Sequence, residues 1–293
     1  MRTRRGMKRV VVVVALLLVV LPLLAAACGE EGEGLLKREL PANASPEKIM
    51  LEGLNATDEV RSIHYLFDYS IIIPPTGEKP YTTEINLQGE GDYDAATGNA
   101  QAHVTWPAFE VEYDYCLYDG KQYFRSSLGG NWYELPENYG FTVPTISEIT
   151  RNTSEYMDNF QKISRLDDQE VGGRDCYHIA LVPNFDAIME NEQFLEMLEE
   201  GGELDEETRA RIEEMKEKLK DAAVDFEYWI DKEYLVFRRT LYTIELVERG
   251  DETTPPYTVK LVMEMDFPVY NLPVSVSPPG NALLYKDAGE IGE

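Results

Sequence analysis

Basic residues are scarce in this chain of 293 residues, where 27 Lys and Arg stand against 54 Asp and Glu. Five of the bases precede Cys28 and no acid does, so 22 bases face 54 acids from there on, a net charge near −32. A surface of that sign repels phosphates instead of releasing their counterions, which excludes nucleic acid as a partner. Anionic lipid headgroups are repelled in the same way. Histidine is nearly absent: His64, His103 and His178 are the only three, and no two fall at metal-ligand spacing. There is no Gly-x-Ser-x-Gly elbow, no Walker loop and no dinucleotide glycine pattern. Acids are so abundant that a solvated face explains them, and no carboxylate pair stands out. The expectation is a non-enzymatic protein without cofactor or metal.

Long apolar runs are equally rare, and the single one is at the N-terminus. Arg2, Arg4, Arg5, Lys8 and Arg9 precede Val10–Leu21, then Pro22, then Leu23-Leu24-Ala25-Ala26-Ala27 and Cys28. A basic start, a short apolar middle and small residues make a secretory signal. Cysteine directly after them resembles the bacterial lipobox, with Ala25 standing where leucine is usual. The resemblance implies cleavage before Cys28, a diacylglycerol thioether on its sulfur and often an amide-linked acyl chain such as palmitate. Each buried methylene contributes roughly 0.8 kcal/mol, and two chains anchor stably where one does not. An uncleaved membrane helix is the alternative, but residues 10–27 barely reach the about 20 that a span needs, and Pro22 interrupts them.

Cysteine is sparse too, Cys116 and Cys176 being the others. Two readings stay open. An extracytoplasmic pair invites a disulfide, whereas strands well apart in a meander do not bring Cα atoms within about 7 Å. Alternation puts Cys116 on a polar face with Glu112 and Asp114, and Cys176 opposite Ile179 and Leu181. Two separate thiols are the preferred reading.

The domains expected are a signal peptide (1–27), a Gly- and Glu-rich flexible linker (28–44), one folded domain (45–280) and a tail (281–293). Ser45 as cap and Pro46 at the first helical position open a helix over 46–57. Period-two alternation predicts strands at 63–71, 81–88, 100–106, 109–117 and 121–125, with Asp119-Gly120 as the strongest hairpin signal. Further strands are predicted at 132–135, 160–166, 176–182, 224–230, 234–248 and 257–267, with a turn at 169–175. Helices are predicted at 145–157 and, broken at Gly201-Gly202, at 186–222. The fold class is α+β: a curved antiparallel half-barrel sheet of about ten strands, with these helices covering its concave face.

The order of Ser45-Pro-Glu-Lys-Ile, Tyr118-Asp-Gly-Lys-Gln-Tyr, Asn131-Trp-Tyr, Val171-Gly-Gly-Arg-Asp-Cys-Tyr-His178, Trp229-Ile-Asp-Lys232 and Asn271-Leu-Pro-Val resembles the LolA/LppX/LprG-like bacterial lipoproteins. These have an unclosed half-barrel with helices over its concave side. The resemblance covers most of residues 45–280 and implies a lipid-anchored cell-envelope protein, on the outer face of the cytoplasmic membrane, that binds or carries acyl chains in a hydrophobic cavity. It carries over no site motif.

The candidate cavity lining is therefore the alternating apolar set: Phe67, Tyr69, Ile85, Leu87, Val111, Tyr113, Tyr115, Ile179, Leu181, Phe226, Tyr228, Leu261, Met263 and Met265. The helical section adds Ile188, Met189, Leu195, Leu198, Ile212, Met215 and Leu219. A fully packed core would carry the same pattern, and an envelope interaction or sensing protein without lipid ligand is the alternative function.

Overall fold

The computed structural model describes residues 35–75, 81–135, 157, 160–184, 222–248 and 256–284. The first helix, α1 (Pro46–Asp58), forms where its cap residues place it. Ser45 is extended and its Oγ accepts the Lys48 N–H at 3.3 Å, while Pro46 occupies a position where its missing N–H costs nothing. Ile49, Met50 and Leu54 form the buried stripe of this helix.

Thirteen strands follow among the described residues: β1 (Ser62–Ile73), β2 (Thr83–Asp94), β3 (Asn99–Trp106), β4 (Val111–Tyr118), β5 (Lys121–Ser126), β6 (Trp132–Glu134), β7 (Phe160–Arg165), β8 (Gln169–Val171), β9 (Arg174–Pro183), β10 (Ala223–Asp231), β11 (Phe237–Glu248), β12 (Tyr257–Tyr270) and β13 (Leu283–Leu284). They build one sheet in the order β13-β6-β5-β4-β3-β2-β1-β12-β11-β10-β9-β7, with β8 added to β9. The sheet is curved and does not close, since β13 and β7 each end it. All neighbours are antiparallel except β13, which runs parallel to β6.

The expected count of about ten strands is too low. The surplus is short: β8 and β13 have three and two residues, too few for alternation to register. β8 and β9 form a hairpin about Gly172 and Gly173, both at positive φ (58° and 79°), inside the segment expected as a turn. The Asp119-Gly120 hairpin forms as expected, with both residues at positive φ (51° and 75°) to match the twist of β4 and β5. Of the helices expected over the concave face, α1 alone is described. The segments expected as helices at 145–157 and 186–222 lie outside the described residues except for Met157 and Ala222.

The register separates two faces. From Tyr69↔Leu87, Gly89↔Val104 and Val104↔Tyr113 on one side, and from Tyr69↔Met263, Met263↔Tyr242 and Tyr242↔Phe226 on the other, one apolar surface runs across the sheet. α1 lies on this inner face against β7, β9 and β10. A Cβ added at Gly53 would sit 3.2 Å from Ile230 Cδ1, so the helix approaches β10 closely because Gly53 has no side chain. The outer face carries the charges as cross-strand pairs, such as Asp68 with Gln88 (2.6 Å) and Arg239 with Asp266 (2.7 Å).

Two extended segments tie down the ends of the described chain. Residues 35–44 lie against the domain: the Arg38 N–H donates to Glu233 O (2.9 Å), Lys37 pairs with Glu233, and Leu35 and Leu40 pack against the core. Beyond β12, Asn271 accepts the Arg61 N–H (2.7 Å) and Ser62 Oγ donates to Leu272 O. The strap then passes Cys116, whose Sγ lies 3.7 Å from Ser277 O, and reaches β6 as β13.

Candidate functional site

Alternate residues of an antiparallel strand share a face. The pairings put all fourteen strand residues of the candidate lining on the inner face. Phe67, Tyr69, Ile85 and Leu87 come from β1 and β2, and Val111, Tyr113 and Tyr115 from β4. Ile179 and Leu181 come from β9, Phe226 and Tyr228 from β10, and Leu261, Met263 and Met265 from β12. Ile188, Met189, Leu195, Leu198, Ile212, Met215 and Leu219 lie outside the described residues, as does Cys28.

The two halves of this face differ. Over β9–β12, Tyr228 and Ile179 are 0% exposed and Leu181 and Tyr242 1%, so α1 and the sheet close on one another as a packed core. Over β2–β5, Ile85, Leu87, Tyr113 and Tyr115 are only half-buried. Two glycines shape this second half. Phe67 and Tyr65 lie over Gly89 and Gly91 of β2, so closely that a Cβ at Gly89 would stand 2.5 Å from Phe67 Cζ and one at Gly91 2.4 Å from Tyr65 Cζ. Aromatic rings thus cover the bare backbone where side chains would otherwise stand.

No Asp, Glu, Lys, Arg or His occupies an inner position of β1–β5. The polar groups there are neutral. Tyr69 Oη, Tyr115 Oη, Trp106 Nε1 and Gln122 Oε1 are shielded from solvent and have no hydrogen-bond partner among the described residues. Burial raises the Tyr69 and Tyr115 hydroxyls above the usual tyrosine range and pushes Tyr65 up to about 12, with the Asp92 carboxylate adding to the last. They remain O–H donors at every physiological pH. Trp106 also packs edge-on against Phe109 (4.5 Å).

The histidines all sit on the outer face, each against a cross-strand carboxylate. His64 meets Asp92 at 2.9 Å, His103 meets Asp114 at 2.9 Å, and His178 meets Glu227 at 2.6 Å while stacking on Trp229. Burial pushes the Asp114 carboxyl up, but hydrogen bonds from His103 and Arg125 outweigh it and hold the group below its ordinary range. Among the described residues no group of three His, Cys, Asp or Glu could hold a metal ion. A polar depression lined by Arg165, Leu166, Asp167, Gln169 and His178 opens beside β7 and β9.

Cys116 and Cys176 are free, buried thiols. Six strands separate β4 from β9, a distance on the order of 30 Å along the sheet, far beyond disulfide reach. Burial raises both, Cys176 to about 12 with the Asp231 carboxylate adding to it, so neither is a reactive thiolate. No helix among the described residues is long and apolar enough to cross a membrane.

Sequence reasoning missed Trp106 and Gln122. Trp106 ends a strand before Pro107, and Gln122 reads as an ordinary polar strand residue. The one available signal was parity, which puts both on the face of Tyr115.

No family model and no curated protein matches the chain. Among solved structures it is similar to the lipoprotein LppX of Mycobacterium tuberculosis, at 14% identity and a TM-score of 0.45 over 79% of this chain and 98% of that one. It is similar to LprF of Mycobacterium bovis at 11% identity and a TM-score of 0.43, over 80% and 99% of the two chains. A putative outer membrane lipoprotein-sorting protein domain from Vibrio parahaemolyticus follows at 8% identity and a TM-score of 0.26, covering 78% of this chain and 93% of that domain. Identities this low transfer no ligand and no residue role.

Proposed function

We propose that the chain is a cell-envelope lipoprotein, anchored through lipid on Cys28, that binds or carries an acyl-chain ligand on the inner face of its sheet and performs no chemistry on it. The observation that carries this reading is the uncharged inner surface of β1–β5, half-buried at Phe67, Ile85, Leu87, Val104, Tyr113 and Tyr115, on a sheet that does not close. Phe67, Ile85, Leu87 and Tyr113 offer the chain its contact surface, and Met263 and Met265 border it through β1 with adaptable side chains. Shielding a dozen methylenes is favourable by roughly 10 kcal/mol at 0.8 kcal/mol each. Association costs on the order of 4–15 kcal/mol, so one chain binds weakly and a two-chain lipid binds well.

The test is native mass spectrometry and solvent extraction of the purified full chain. The expected result is a non-covalent lipid adduct, released by organic solvent and restored by added acyl lipid. A protein that carries no lipid and takes up none on incubation overturns the reading.

A further inference from the structure

We infer that the domain stands end-on upon the membrane that holds its lipid anchor, with the β8–β9 hairpin and the β10–β11 turn facing the bilayer. The cause is the segment 35–44, which is docked on the domain and leaves residues 28–34 as the tether. The inference rests on lipid anchoring at Cys28 and adds which surface of the domain meets the membrane.

The docked segment is held at several points. The Arg38 N–H donates to Glu233 O (2.9 Å), Lys37 pairs with Glu233, and the Arg38 guanidinium pairs with Glu59 of α1 at 2.5 Å. Leu35 and Leu40 pack against the core. The turn that receives the segment is itself fixed. Asp231 Oδ1 accepts the N–H groups of Glu233 (2.7 Å) and Tyr234 (3.0 Å), and its Oδ2 accepts from Arg238 Nε (2.7 Å). From Cys28 to Leu35 the chain spans at most about 25 Å, where an undocked run to Ser45 would span about 60 Å.

Antiparallel pairing sorts the turns into two ends. The β10–β11 turn, the β8–β9 hairpin and the β4–β5 turn lie at one end of the sheet, and the β3–β4 and β5–β6 turns lie at the other. β1 alone has 12 residues, a length of about 40 Å. A tether of about 25 Å therefore forbids the inverted placement, in which the β10–β11 end points away from the bilayer.

Charge separates the upright placement from one lying flat. At the tethered end Lys37 and Arg174 stand over the Tyr234 ring (5.9 and 5.4 Å), and Arg165 and Lys232 over the Tyr177 ring (4.8 and 5.8 Å). These bases offset Asp168 and Glu233, with which they pair. The opposite end exposes Glu84, Glu110 and Glu112, and the outer face carries Asp68, Glu90, Asp92 and Asp114. Anionic headgroups repel that acidic flank, so the domain turns its base-bearing end to the bilayer.

The test uses the lipidated full chain in nanodiscs of phosphatidylcholine and phosphatidylglycerol that contain an acceptor-labelled lipid. A donor dye is placed on Glu170→Cys, beside the β8–β9 hairpin, or on Leu128→Cys, at the far end, where Leu128 is 81% exposed. Cys116 and Cys176 are buried and do not take the dye. Energy transfer is expected to be at least about twofold stronger from Glu170→Cys than from Leu128→Cys. Lys37→Glu with Leu40→Asp undocks the segment, and transfer from Glu170→Cys is expected to fall at least about twofold as the tether lengthens. Should circular dichroism show that pair unfolded, Lys37→Glu alone sets two acids together at Glu233 and is expected to lower transfer by a smaller step. Equal transfer from both ends, or transfer that stays unchanged in a folded variant, overturns this inference and leaves the anchoring standing. An intact mass without lipid on Cys28 overturns both.

Discussion

Replacing Gly89 by alanine tests whether the glycine strip shapes the inner face. A Cβ at this position would stand 2.4 Å from His103 O, 2.5 Å from Phe67 Cζ and 2.6 Å from Phe67 Cε1. The ring can move, but the carbonyl belongs to the neighbouring strand β3, so relief requires β2 and β3 to part. Overpacking of this kind costs about 1–3 kcal/mol, and contact with backbone places it at the upper end. Alanine regains about 0.4–1 kcal/mol by restricting the unfolded chain. The net loss is about 2 kcal/mol, a fall in Tm of about 4–8 °C for a domain of this size. Gly91→Ala, with Tyr65 at 2.4 Å and Gln101 O at 2.6 Å, should behave alike. Thermal unfolding followed by circular dichroism gives the number. Adding Phe67→Ala to Gly89→Ala should not restore stability, because the His103 carbonyl stays in place. A Gly89→Ala protein as stable as the parent refutes the reasoning.

Three more expectations follow from the same structure. Asp231 and Arg238 form an ion pair at 2.7 Å, with side chains 2% and 4% exposed; Arg238→Met leaves Asp231 charged and buried and should cost about 3–5 kcal/mol, while Asp231→Leu with Arg238→Met should recover most of it in urea unfolding. Asp114 and Asp168 have carboxyls held below the ordinary range, where burial is outweighed by hydrogen bonds from His103 and Arg125 and from Arg165 and Lys232 respectively. Their folded values lie below their unfolded ones, so each contributes stability above about pH 4 that is lost as pH falls through the folded value; Asp114→Asn should flatten the acid limb of a stability–pH curve, and an unchanged limb contradicts the assignment. Cys116 and Cys176 should both resist a thiol reagent in the folded protein and both react in denaturant, whereas a missing thiol in the denatured protein would contradict the separation of β4 from β9.

Local chemistry made much of this fold readable. Ser45-Pro46 announces α1, Asp119-Gly120 announces the β4–β5 hairpin, and parity alone puts Phe67, Leu87, Tyr115, Phe226 and Met263 on one face. Alternation says which way a side chain points and nothing about which strand lies beside it. The β1–β12 pairing, with Tyr69 opposite Met263, joins segments far apart in the chain and left no local mark. The stretch from Asn271 to Gly280 reads as extended and proline-stiffened, but where it docks does not, because it is held by single contacts such as Ser62 to Leu272. The covering of Gly89 and Gly91 by Phe67 and Tyr65 is a match between strands that neither strand shows alone.

Photoaffinity labelling tests the central claim most directly. A diacylglycerol with a diazirine in one acyl chain is bound to the full chain, irradiated, and the adduct mapped by peptide mass spectrometry. The account predicts labels on inner residues of β1–β5, such as Phe67, Leu87 and Tyr113, which excess unlabelled lipid suppresses. Labels on outer residues such as Gln88 or Glu112, or an absence of labelling that competition can suppress, would contradict it.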